Sequence, residues 1–131
     1  MSDIQIPGAR QTPAVDFRFS AHHLSLKGEA YPENANTFFD PLIAALNAYL
    51  AKGGGEPITV EMSLLYLNSA STKMVFKLVA PLDQAASAGR KVTLNFAVHE
   101  DDEMLRELGE DMHADYSWID FNFVETAEQA A

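Results

Sequence analysis

ITVEMSLLYLNSASTK, residues 58–73, decides the fold. Ile58, Val60, Met62 and Leu64 alternate with their neighbours at the period of two that marks a β-strand. The apolar run continues through Leu65 and Leu67, which suggests a central strand covered on both faces. NSAST follows at once, and beyond it Met74, Val75, Leu78, Val79 and Leu82 recur at helical spacing. A strand that gives way directly to a helix is the first half of a βαβ crossover.

Working outward, the same alternation of periods continues. Gly89 stops the helix, and Val92, Leu94, Phe96 and Val98 form the next strand. An acidic helix carrying Met104, Leu105, Leu108 and Met112 follows. The last strand runs from Trp118 to Val124, with Ile119, Phe121 and Phe123 on one face. Upstream, Val15, Phe17 and Phe19 and then Leu24 and Leu26 predict two short antiparallel strands about a turn at Ser20–Ala21, with His22–His23 in an exposed strand. YPEN makes a turn, and Phe39, Leu42, Ile43, Leu46, Tyr49 and Leu50 share a helical face. Asn34 or Asn36 can cap that helix, Gly53, Gly54 and Gly55 end it, and Pro41 marks either a restart capped by Asp40 or a kink. The expected fold is α/β, in the order β-β-α-β-α-β-α-β: a mixed, mostly parallel sheet with flanking helices. Residues 1–131 form a single domain with an ordered core over about 4–124. The first dozen residues and the final TAEQAA are loosely held ends. Phe39, Leu46, Leu64, Leu78 and Phe96 belong to the core.

Composition narrows the function. The 131 residues are 47% hydrophobic and 21% charged, a balance that excludes a disordered chain. With no cysteine, disulfides, zinc-thiolate sites and thiol nucleophiles are excluded. No apolar run reaches the roughly 20 residues that span a bilayer. MSDIQIPGARQTP has no basic region followed by an apolar stretch, so a cytoplasmic protein without membrane attachment is expected. The net charge is −10, and the whole excess lies after His99, where Arg106 is the single basic residue. That field repels phosphate backbones and argues against nucleic-acid partners.

Two segments could carry chemistry. At Tyr66–Lys73 a strand becomes a helix over a hydroxyl-rich bend. Carboxyl ends of parallel strands are where α/β proteins meet ligands, and a helix N-terminus favours an anion. Ser69, Ser71 and Thr72 are each candidate caps. The plain reading is one capping hydroxyl and two solvated ones. The sharper reading is a phosphorylation site whose phosphate gains the helix dipole and the reach of Lys73. The second segment is HEDDEMLRELGEDMH, residues 99–113. Its histidines and carboxylates raise a small metal-binding protein or hydrolase using His99 and His113, although the spacing matches no EF-hand. Asp101 or Asp102 is more simply the cap of the acidic helix. P-loop, GxSxG, GxGxxG and HExxH patterns are absent. No cofactor is expected.

IPGARQTPAVDF, LSLKGEAYPENANTFFDPLIAAL, YLNSASTK and HEDDEMLRELGEDM stand in an order and spacing that resembles the SiaC family of bacterial regulatory phosphoproteins, from about Ile4 to Val124. The resemblance implies a fold like that of STAS domains, a partner-switching role and no enzymatic activity. It implies phosphorylation by a protein kinase on the hydroxyl after the Asn of YLN, which is Ser69 here, with Ser71 and Thr72 as second choices. A PPM-type phosphatase removes the phosphate. The unphosphorylated form binds and activates a diguanylate cyclase or similar effector, raising cyclic di-GMP and promoting biofilm. Ser69 stands where the family motif can carry Thr, and Ala70 where it often has a hydroxyl residue. The expected partner surface is Tyr66, Asn68, Ser69, Ser71 and Lys73, rimmed by Asp101 and Asp102, on a protein that is monomeric when free.

Overall fold

Six strands and three helices build the protein in the computed structural model, which describes residues 2–126. They run β1 (Ile4–Ile6), β2 (Ala14–Arg18), β3 (His23–Ala30), α1 (Ala35–Ala51), β4 (Ile58–Leu67), α2 (Ser69–Ser87), β5 (Val92–His99), α3 (Glu103–Asp115) and β6 (Asp120–Thr126). All six strands form one sheet in the order β1-β2-β3-β4-β5-β6. The β1–β2 and β2–β3 pairs are antiparallel, and β3 to β6 are mutually parallel. The mixed sheet and the βαβ succession are as the sequence predicts.

Four expectations need correction. The N-terminal dozen residues are not all loose: β1 pairs with β2, Ile4 opposite Phe17 and Ile6 opposite Val15, so the order gains a strand. Three residues are too short for a periodicity to show. The last strand begins at Asp120, and Trp118 lies before it, exposed. His22 is not in a strand: it follows a turn of 3₁₀ helix at Phe19–Ala21 with φ 55°, and its ring meets the Tyr49 hydroxyl. Lastly, β4 is covered on one face only. Strand order advances in one direction, so crossovers of one hand lay all three helices on the same side of the sheet.

The covered side holds one core. Leu24, Val60, Leu94 and Phe121 lie in register across it, as do Leu26, Met62, Phe96 and Phe123. Phe39, Leu46, Leu78 and Val79 close it from α1 and α2. Burying apolar side chains at about 25 cal/mol per Å² is what holds these layers together. α3 comes close because it presents Gly109, where a Cβ would stand 2.7 Å from Phe123 and 3.0 Å from Phe96. The other side is a polar ladder in register: Gln5, Asp16, Ser25, Glu61, Asn95 and Asn122. Gln5 donates to Asp16, Asn95 to Glu61 and Asn122 to Asn95, each at 3.2 Å.

α1 is one continuous helix through Pro41, capped by Asn34, whose Oδ1 accepts from Thr37 N–H at 3.2 Å. Its end is turned by Gly53, which has φ 75°. Among the described residues no helix is long and apolar enough to cross a membrane. The final residues Ala127–Ala131, expected to be a loose end, lie outside the described ones.

Candidate functional site

The carboxyl ends of β3, β4 and β5 converge on one edge, and the junction between β4 and α2 sits there. Its geometry begins with a bulge. Gly28 opposes Leu64 and Glu29 opposes Tyr66, so Leu65 has no partner on β3. The extra residue re-aims the strand end. Tyr66 emerges half-exposed, its ring edge-on to Tyr31 at 5.9 Å. Asn68 N–H then donates to the Ala30 carbonyl at 3.0 Å, fixing where the strand stops.

Asn68 also starts α2. Its Oδ1 accepts from Ser71 N–H at 2.9 Å, and its carbonyl accepts from both Thr72 N–H (2.9 Å) and Thr72 Oγ1–H (3.0 Å). The cap is therefore the asparagine, not one of the three hydroxyls. Asx caps satisfy orphan N–H groups of the first turn, and Asn is among the best of them. The hydroxyls consequently divide. Ser69, the first residue of the helix, is exposed. Thr72 is half-buried and bonded back to Asn68. Ser71 is fully buried, and its Oγ has no hydrogen-bond partner. Burial withdraws Ser71 from the surface on which the sequence reading put it. Lys73 is exposed on the next turn.

The acidic segment lies beside this corner. His99 Nδ1 accepts from Asp101 N–H at 3.1 Å, and the His99 carbonyl accepts from Asp102 N–H at 2.9 Å. Asp102 caps α3 through Leu105 N–H at 3.0 Å, as expected for one of the two aspartates. Between α2 and α3 an open groove of about 330 Å³ is lined by Tyr66, Leu67, Thr72, Asp102, Met104 and Leu108. A second hollow of about 220 Å³ reaches from it toward Glu29, Ser63 and His99. Tyr66 and Asp102 thus share one groove, with exposed Ser69 and Asp101 close to them in sequence.

Sequence reasoning missed the apolar lining. Met104 is 83% exposed, because it stands one residue, about 100° of helix, from Leu105, which is buried with Gly109 and Met112. The off-stripe position was visible in the spacing. His99 and His113 are not brought together. His99 ends β5, while His113 lies in the last turn of α3, stacked on Phe121 at 5.1 Å. Ten residues of helix separate His113 from Glu103, a rise of about 15 Å. Among the described residues no group of three histidines and carboxylates is placed to hold a metal.

These features define a class: a small α/β domain that displays one serine at a strand-to-helix corner beside an apolar groove with an acidic rim. A family model described as SiaC family regulatory phosphoprotein matches residues 6–126, and the chain belongs to that family, whose members regulate rather than catalyse. It is 36% identical over 118 residues to an uncharacterized protein of Pseudomonas aeruginosa (strain UCBPP-PA14), covering 90% of this chain and 93% of that one. SiaC of Pseudomonas aeruginosa superposes with a TM-score of 0.87 at 33% identity, covering 96% of this chain and all of the other. The structure of the diguanylate cyclase SiaD in complex with its activator SiaC, from the same organism, contains a chain that matches with TM-score 0.87 and 33% identity over 95% of this one.

Proposed function

We propose that this protein is a cytoplasmic phospho-switch whose unphosphorylated form binds and activates a diguanylate cyclase. A protein kinase phosphorylates Ser69 and a PPM-type phosphatase reverses it. The observation that carries the site is the division of hydroxyls: Ser69 is exposed, whereas Ser71 is buried and Thr72 is tied to the Asn68 carbonyl. The likeness to an activator solved with its cyclase supports the output.

The sign of the switch follows from solvation. A neutral Ser69 hydroxyl enters an interface at little cost when it finds a hydrogen bond. A phosphate carries about −1.5 to −2 charges and is costly to desolvate without a cation. On the free protein that phosphate is comfortable, because the first turn of α2 offers unpaired N–H groups and the positive end of the dipole. Phosphorylation therefore stabilises the unbound state and penalises the bound one. Asp101 and Asp102 form a charged rim that sets association rate and salt dependence more than affinity.

The test is calorimetric binding of both forms to the cyclase, with kinase labelling of Ser69→Ala. Ser69→Ala is expected to lose the label and keep its fold. Label that persists on that variant moves the site to Ser71 or Thr72. Equal or tighter binding by the phosphorylated form refutes the sign.

A further inference from the structure

The groove beside Ser69 carries a second chemically addressable group. Of the four methionines among the described residues, Met62, Met74 and Met112 are 2%, 3% and 0% exposed, while Met104 is 83% exposed. Met104 lines the groove between α2 and α3 with Tyr66, Leu67 and Leu108, and also the outer hollow with His99 and Asp101. A flexible, polarisable thioether on a recognition surface adapts to an apolar partner. It is also the natural target of two-electron oxidants, and the three buried methionines are shielded from them.

We infer that Met104 is a reversible oxidation site that weakens partner docking independently of Ser69. This inference rests on the proposed binding of the cyclase at the corner around Ser69 and its rim of Asp101 and Asp102, and extends that docking face into the adjoining groove. The sulfur lone pair attacks one oxygen of hydrogen peroxide: an S–O bond forms, the O–O bond breaks, and the departing hydroxide takes the remaining proton as water. Sulfur is oxidised by two electrons and the peroxide is reduced. The acidic rim does not exclude this oxidant, because peroxide is uncharged. The product is a polar, chiral sulfoxide where the partner requires an apolar side chain, and burying it unpaired is unfavourable. A thiol-dependent methionine sulfoxide reductase reverses the step, with a dithiol oxidised to a disulfide as the sulfoxide oxygen leaves as water.

The whole protein is treated with hydrogen peroxide, the peroxide is removed, and peptide mass mapping locates the added oxygen before binding to the cyclase is measured. The expected results are oxygen at Met104 ahead of Met62, Met74 and Met112, and affinity lowered by about ten-fold or more. Reductase treatment is expected to restore affinity. Met104→Leu should show the same affinity before and after the treatment, whatever its own starting value, and untreated Met104→Gln should bind more weakly than untreated Met104→Leu. Oxidation of a buried methionine first, unchanged affinity of the Met104 sulfoxide, or equal loss by treated Met104→Leu would each overturn the inference alone. Absence of binding by the untreated protein would overturn the docking reading, and this inference with it.

Discussion

Replacing Asn68 by alanine isolates the hinge on which the serine is mounted. The side chain accepts one hydrogen bond, from Ser71 N–H at 2.9 Å, in a half-buried setting. The backbone bonds of Asn68 to Ala30 and Thr72 do not depend on its side chain. The loss is therefore that of a single N-cap, about 1 kcal/mol within a range of roughly 0.5–2. For a domain of this size that lowers the melting temperature by about 3–5 °C. Asn68→Asp preserves the acceptor and adds a charge that the helix dipole favours, so its melting temperature should stay close to wild type. The two variants are compared by thermal unfolding under circular dichroism, with kinase labelling of Ser69 followed in parallel. Slower labelling of Asn68→Ala is expected, because a frayed first turn no longer holds Ser69 in place. A melting temperature for Asn68→Ala within a degree of wild type would refute the claim that this side chain anchors α2.

Three more outcomes are expected. Ser71→Ala removes a buried hydroxyl without a partner, so stability should hold or rise by up to about 1–3 kcal/mol in urea unfolding, with Ser69 labelling unchanged. Gly109→Val should cost about 1–3 kcal/mol, read as a lower urea midpoint, because its Cβ meets the Phe96 and Phe123 rings before any gain in helix propensity counts. Burial pushes the Tyr49 phenol above its ordinary range, and Tyr116 likewise, so the folded protein keeps protons that the unfolded chain releases near pH 10. Stability is then fully present below about pH 10 and is lost as pH climbs through the raised values; urea midpoints should hold from about pH 8 to about pH 10 and fall above it, and Tyr49→Phe should flatten part of that fall while lowering the plateau, since Arg90 and His22 lose their shared partner.

The sheet was legible because its strands obey simple periods. Val92 to Val98 alternate without exception, and β5 is buried at every odd step of that run. The helix caps at Asn34 and Asp102 were legible because Asn and Asp have few other reasons to stand there. The cap of α2 was misassigned because the sequence reading weighed the hydroxyls of Ser69, Ser71 and Thr72 and passed over Asn68 beside them, and only backbone geometry chooses among four such side chains within five residues. Coverage of β4 was overestimated because Leu65 reads as another core residue. Its place is a bulge, set by the opposing strand, and no pattern within β4 itself reveals that. The groove escaped notice for a related reason. It exists only where the end of β4 and the first turn of α2 face the first turns of α3, some thirty residues on, and neither segment alone encodes it.

The strand order has a consequence for biosynthesis. Each strand pairs with its neighbours in sequence, so no pairing waits for a distant part of the chain. Assembly can follow translation: β1 to β3 first, then each crossover laid against an edge already present. The corner bearing Ser69 is completed when β5 closes on β4, before α3 and β6 have emerged. On the proposed reading, the nascent protein displays Ser69 ahead of Asp101, Asp102 and Met104, which complete the groove beside it. The groove is complete only with the last quarter of the chain, so a product truncated before α3 is expected to carry Ser69 and to fail in binding the cyclase.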